Sequence, residues 1–223
     1  SYVPALHPLM KFGITKVLPC TYQAISGAGK NFERWPEMVD NLIPYIGGEE
    51  EKSEKEPLKI WGKVENGEII NAVSPAITTQ CLRVPVSDGH TAAVFVSFEN
   101  KPSIEEIKKC WAEYSGEPQL LKLPSAPEHF LTYFEEPDRP QAKLDRDLEK
   151  GMGVSTSAHP CSQAFALPHF KDKQRSQPTP SDYITGNALL YIRYYQNTIY
   201  PRRRLTLHYL CEVCLSCEVR EHR

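Results

Sequence analysis

Several things are scarce or absent in this 223-residue chain, and each absence narrows the reading. No Gly-x-Gly-x-x-Gly follows a strand, so the fingerprint of a dinucleotide-binding βαβ unit is missing. No apolar run approaches the length of a transmembrane helix, and Ser1-Tyr2-Val3-Pro4 has no basic segment leading into an apolar core. Neither a membrane span nor a signal peptide is expected. An excess of one charge is lacking too: 26 Lys/Arg against 28 Asp/Glu leave a net charge of −2, which argues for neither nucleic acid nor a membrane surface. Cysteines number seven, an odd count, and Cys20, Cys81, Cys110 and Cys161 are widely spaced. Reduced thiols in the cytoplasm are expected rather than a disulfide framework. The start at Ser1, without an initiator Met, reads as a fragment. Against these absences stand 40% hydrophobic and 24% charged residues, an ordinary balance for a globular chain able to bury a core.

The most informative stretch runs from Cys81 to Thr91 and into the apolar run Ala92 to Phe98. Thr78 to Val86 is rich in β-formers, Ser87-Asp88-Gly89 supplies a turn, and Val94, Val96 and Phe98 alternate with smaller residues. The pattern predicts two strands joined as a hairpin. Arg83 can grip a carboxylate or phosphate with two parallel hydrogen bonds. His90 suits proton movement near neutrality. Two readings stand: an active-site wall, or a surface arginine beside a turn-capping histidine. On these residues alone the plainer one is the commoner.

Elsewhere, residues 5–13 read as the end of a helix capped by Gly13, with Pro8 against it. A strand from Ile14 to Ile25 leads into Ser26-Gly27-Ala28-Gly29, small residues that let backbone amides approach a ligand. A charged helix is expected from about Glu49 to Trp61, kinked or restarted at Pro57, with Glu49 and Lys52 on one face. Ser103 and Glu106 form a capping box for a helix whose apolar face includes Ile104, Ile107 and Trp111. Leu120–Leu123 and Phe130–Phe134 are short strand candidates around the turn Pro124–Pro127, and another strand starts near Met152–Ser155. From Thr156 the patterning weakens, with nine Lys/Arg against five Asp/Glu in residues 156–223. Cys211-x-x-Cys214-x-x-Cys217 lacks a fourth cysteine nearby, so no metal-ligand set emerges from it.

Taken in order, five stretches go together: Thr21 to Gly29; Asn41 to Gly48 with Glu49-Glu50-Glu51-Lys52; Cys81 to Thr91; Leu123 to Pro127; and Asp138-Arg139-Pro140 with Leu144-Asp145-Arg146-Asp147. This succession, across residues 2–155, resembles aspartate-semialdehyde dehydrogenase of the fungal and archaeal type. The resemblance implies an α+β fold, that of a glyceraldehyde-3-phosphate-dehydrogenase-like C-terminal domain, with a mixed or antiparallel sheet and helices on one face. It implies a chain without the NADP-binding half of the enzyme. It also implies residues 1–155 as an incomplete catalytic and dimerisation domain, and 156–223 as a divergent, poorly ordered tail.

By the same resemblance His90 is the acid/base and Gln23 stands beside the nucleophile, Arg83 holds the substrate carboxylate, and Glu49 and Lys52 contact substrate and phosphate. Ser26 and Gly27 lie near the nicotinamide of NADP. A homodimer or homotetramer is implied. Departures accompany it: Lys30-Asn31-Phe32 replaces Tyr-Pro-Gly, the motif His-Asn-Thr-x-Arg-Gly is not found, and no cysteine occupies the nucleophile's place. An inactive fragment is therefore expected, with weak or no NADP binding. A non-catalytic dimerisation module and a malonyl-CoA reductase-like enzyme are the alternatives.

Overall fold

The computed structural model describes residues 2–160 and 187–194, with the backbone alone for 159–160 and 187–194. The chain opens with one helical turn, α1 (Val3–Leu6), which tightens into a 3-10 stretch, His7–Phe12. Gly13, at φ 71°, ends it by donating to the Met10 carbonyl, as its place in the sequence predicts. Strand β1 (Ile14–Gln23) runs into a 3-10 turn, Ile25–Ala28. Gly48, at φ 77°, admits the chain to α2 (Glu49–Ile60), after which come β2 (Lys63–Glu65), β3 (Glu68–Ile70), β4 (Ala76–Ile77), β5 (Gln80–Arg83) and β6 (His90–Phe98). Helices α3 (Ile104–Ala112) and α4 (Glu117–Leu120) precede β7 (Leu131–Tyr133), and α5 (Ala142–Asp145) precedes β8 (Val154–Pro160) and β9 (Asn187–Tyr194).

The main sheet has seven strands and is mixed, as expected for the α+β class. On one side of β1, β4 and β5 lie parallel to its early and late residues; on the other, β6 lies antiparallel, and β9, β8 and β7 continue the sheet. The expected hairpin is therefore corrected. The strands on either side of Ser87-Asp88-Gly89 do not pair with each other, because β1 lies between them. The connection Val84–Gly89 crosses the end of β1 instead, and its carbonyls receive the Ile25 and Ser26 amides.

One face of the sheet carries the core. Val17 on β1 and Val94 and Val96 on β6 are fully buried, under Leu6 and Leu9 and the apolar side of α3. Trp111 is 1% exposed, and its Nε1–H donates to the Ala5 carbonyl at 2.8 Å, so its one polar atom is satisfied inside the core. The capping box predicted for α3 is present: the Glu106 amide donates to Ser103 Oγ, and the Ser103 amide to Glu106 Oε2.

Two further expectations change. Helix α2 continues through Pro57 rather than restarting there. Pro57 has no N–H for the Ser53 carbonyl, but the Tyr2 hydroxyl donates to that carbonyl at 2.6 Å, so the missing bond is replaced from outside the helix. The run Leu120–Leu123 begins at the last residue of the single helical turn α4 and is not a strand. Strand β8 runs across residue 155, and β9 pairs with both β6 and β8. The sheet thus takes in part of the segment set apart as a tail. Residues 161–186 and 195–223, with the Cys211–Cys217 run, lie outside the described residues.

Candidate active site

Strand periodicity puts three of the expected residues on one face. Gln23 and Arg83 are register partners across β1 and β5, and both share a face with Thr21, Cys81 and Ala92; His90, two residues before Ala92, projects the same way. The site forms where that covered face meets the crossing Val84–Gly89. Arg83 is only 6% exposed, and its Nη1 donates to the Ala24 carbonyl at 2.8 Å. The amide of the same residue serves the imidazole, since Ala24 N–H donates to His90 Nδ1 at 3.1 Å. A buried amide thus occupies Nδ1, which leaves Nε2 as the protonated nitrogen of the neutral ring.

Burial is the main cause that pushes the His90 pKa down to about 4, aided by the Arg83 guanidinium, against Glu49 and Asp88. His90 is therefore neutral at pH 7 and presents an N–H donor. Gly27 packs directly on this pair: a Cβ there would lie 2.9 Å from His90 Cε1 and 3.0 Å from both His90 Nε2 and Arg83 Nη1. Ser26 Oγ, one residue before Gly27, is buried and lacks a hydrogen-bond partner, which leaves its donor available.

The first turn of α2 closes the other side. Gln23 Nε2 donates to Glu49 Oε2 at 3.3 Å, and Lys52 Nζ reaches Glu49 Oε1 at 2.9 Å. Burial works against the Glu49 carboxylate, but hydrogen bonds from Lys52 and Gln23 and the charges of Lys52 and Arg83 outweigh it and hold its carboxyl below the usual range. The hydrogen bond to Glu49 raises the Lys52 pKa, so the ammonium stays charged. The helix is fixed to the sheet by two more carboxylates one turn apart: Glu50 accepts from the Cys81 amide at 3.3 Å and Glu54 from the Thr79 amide at 3.0 Å. These bonds occupy amides on the outer edge of β5. The structure thus gathers Gln23, Ser26, Gly27, Arg83 and His90, and joins Glu49 and Lys52 to them through Gln23.

Among the described cysteines none stands in this cluster. Cys20 lies on the opposite face of β1, Cys110 is buried on α3, and burial pushes the Cys81 thiol up, away from a reactive thiolate. Two contributors escaped the sequence reading. One is the Ala24 backbone, which serves both Arg83 and His90; the other is Ser87, whose side chain receives Arg146 Nη1 at 2.8 Å.

Comparison with known proteins gives the family. The family described as semialdehyde dehydrogenase, dimerisation domain, matches residues 6–157. The chain belongs to the semialdehyde dehydrogenase dimerisation-domain family. That match covers the site from Gln23 to His90 and the Arg146 segment in one stretch. Aspartate-semialdehyde dehydrogenase of Archaeoglobus fulgidus is 45% identical over 153 residues, which cover 69% of this chain and 43% of that protein. The Saccharomyces cerevisiae enzyme of the same name is 43% identical over 163 residues, 69% of this chain and 44% of its own length. A semialdehyde dehydrogenase domain of this kind also appears in the crystal structure of the Candida albicans enzyme with NADP, which superposes with a TM-score of 0.65 at 33% identity, over 85% of this chain and 49% of that one. The chain spans less than half the length of these relatives.

Proposed function

We propose that this chain is the substrate-binding and dimerising part of an NADP-dependent aspartate-semialdehyde dehydrogenase, which reversibly converts aspartyl phosphate to aspartate semialdehyde and phosphate. The observation that carries the reading is the joint packing of Arg83 and His90 against Gly27. A guanidinium and a neutral imidazole N–H there face one small-residue loop, with a second cation, Lys52, across Gln23 and Glu49.

Each side chain then has a role. Arg83 is already bonded to the Ala24 carbonyl through Nη1, and its planar fork offers its remaining donors to a substrate carboxylate. Lys52 supplies a charge for the phosphate, and Glu49 holds that ammonium in place while it keeps Gln23 oriented. His90 donates from Nε2 to oxygen at the reacting carbonyl; its Nδ1 is taken by Ala24 N–H, so the proton it manages is the one on the substrate side. NADPH would supply the hydride in the reductive direction when bound, and NADP+ would accept it in the reverse. The residues suited to its reacting end are Ser26, with an unpartnered hydroxyl, and Gly27, whose bare backbone allows close approach.

The nucleophilic cysteine of this chemistry is not among the described cysteines, Cys20, Cys81 and Cys110. For the dimer we favour the sheet face opposite the helices, where Leu18 and Tyr22 of β1 and Phe95 of β6 are half-buried. Among the described residues no helix is long and apolar enough to cross a membrane. The cytoplasmic placement we favour rests on the free thiols of Cys20, Cys81 and Cys110.

Titration of aspartate semialdehyde and of inorganic phosphate into the chain, followed by NMR, tests the binding. Semialdehyde should shift the Arg83 side chain and the amides of residues 24–27, an effect abolished by Arg83→Met. Phosphate should shift Lys52 and not bind Lys52→Met. Shifts elsewhere, or none, would remove the reading.

A further inference from the structure

The 138–147 segment belongs to the matched succession, yet no part of the proposed chemistry uses it. Its centre is a buried charge. The Asp145 carboxylate has no exposed side-chain surface, and it accepts from Arg139 through both Nε and Nη2 and from the Gln141 amide. Removing either member of such a pair leaves an uncompensated buried charge, so α5 is held firmly. The next residue uses that foothold. Arg146, half-buried, donates from Nη1 to Ser87 Oγ at 2.8 Å across 59 residues of sequence.

Ser87 lies in the crossing Val84–Gly89, which has no ladder of its own beyond the few bonds that tie it to the end of β1. Its carbonyl accepts from the Ser26 amide at 3.2 Å, and the preceding Val86 carbonyl accepts from the Ile25 amide at 2.9 Å. Ser26 leads into Gly27, which abuts His90 and Arg83. The route from Arg146 to the imidazole is thus one side-chain hydrogen bond, one backbone hydrogen bond and one close packing contact.

We propose that Arg146 is a positioning residue: by holding Ser87 it fixes the crossing over the end of β1 and so sets how closely the Ser26–Gly27 loop packs on His90 and Arg83. An ordinary arginine–serine contact on a surface contributes little. This one is charge-assisted and is anchored at the far end by the buried Arg139–Asp145 pair. At its near end it grips a connection with few other tethers. The inference deepens the functional reading and rests on it, since it takes the Gln23–His90 cluster to be the substrate site.

The test uses the full chain with Arg146→Gln, Ser87→Ala, the double variant and Arg146→Lys. Thermal unfolding establishes that each is folded, and nitrogen-detected NMR follows the His90 ring. Among the described residues the charged groups facing that ring are Arg83, Glu49 and Asp88, and none of them is altered. In the unaltered chain the ring should titrate at about 4. In Arg146→Gln and in Ser87→Ala the loosened loop admits water, and the midpoint should rise toward 6.5, the ordinary histidine value. The double variant should match the single ones, because both cut the same link, and Arg146→Lys should recover part of the shift. An unmoved midpoint in a folded Arg146→Gln overturns the proposal, as does a double variant shifted by the sum of the two. Should Arg146→Gln not fold, the same two criteria apply to Ser87→Ala and Arg146→Lys. The functional reading fails separately, by loss of semialdehyde binding in the unaltered chain, which leaves the His90 comparison intact.

Discussion

Gly27 stands against His90 so closely that a single added carbon would lie 2.9 Å from the ring. The constraint is space, since the backbone at Gly27 is not in the left-handed region. Gly27→Ala must push aside the imidazole, the guanidinium of Arg83, or both. Overpacking of this kind costs about 1–3 kcal/mol. The expected outcome is a folded chain with a lowered melting temperature and at least tenfold weaker semialdehyde binding. Unchanged binding would mean that the loop does not touch substrate.

The second prediction concerns helix α2. Tyr2 donates its hydroxyl to the Ser53 carbonyl, the acceptor that Pro57 cannot serve. Tyr2→Phe should cost about 1 kcal/mol in denaturant unfolding. In a Pro57→Ala background the restored amide offers Ser53 its own partner, so the same change should cost less. Equal losses in both backgrounds would show that the hydroxyl does not replace the missing bond.

Tyr2 also predicts behaviour in alkali. Burial pushes its pKa up to about 12, above the ordinary value of 10. A group whose folded pKa is raised contributes stability that is complete below its unfolded pKa. That contribution should fade as pH rises from 10 towards 12, and Tyr2→Phe should flatten this limb of the stability curve.

His90 titrates in the opposite sense. Its folded pKa, about 4, lies below the unfolded value of 6.5, so its contribution is present above pH 6.5 and is lost as pH falls towards 4. The loss amounts to about 3 kcal/mol by the linkage relation. Urea unfolding at stepped pH should show this slope in the unaltered chain and a shallower one in His90→Gln. A flat profile between pH 6.5 and 4 would place His90 in water rather than under the loop.

Much of this arrangement was legible because it is local. Gly13, the Ser103–Glu106 box and the alternation in β1 and β6 each occupy a few adjacent residues, and each appears where the sequence places it. The crossing at Val84–Gly89 was misread because turn residues reveal a reversal but not what lies between the two strands; β1, some sixty residues earlier, fills that gap. The β2–β3 pair was missed although Asn66-Gly67, both at positive φ, carries the ordinary signal for a two-residue turn. Its strands are three residues each and fully exposed, so no alternation announces them. Pro57 was read by its local effect, and the distant Tyr2 cancels it. Arg83 and His90 stood out in their own stretch, and the resemblance gave them roles together with Glu49 and Lys52; the packing of Arg83 and His90 on Gly27 and the link from Glu49 to Gln23 required the fold. Arg146 lies in a matched motif, but nothing in its neighbours points to Ser87.

The most direct test is kinetic, on the complete polypeptide that carries these residues, with Arg83→Leu and His90→Asn beside the unaltered protein. The assay is phosphate-dependent NADPH formation from aspartate semialdehyde. The account predicts activity in the unaltered protein, a raised KM for semialdehyde with Arg83→Leu, and a loss of kcat of about a hundredfold or more with His90→Asn. An unaltered protein that forms no NADPH from aspartate semialdehyde, or that consumes NADPH with malonyl-CoA instead, would contradict it.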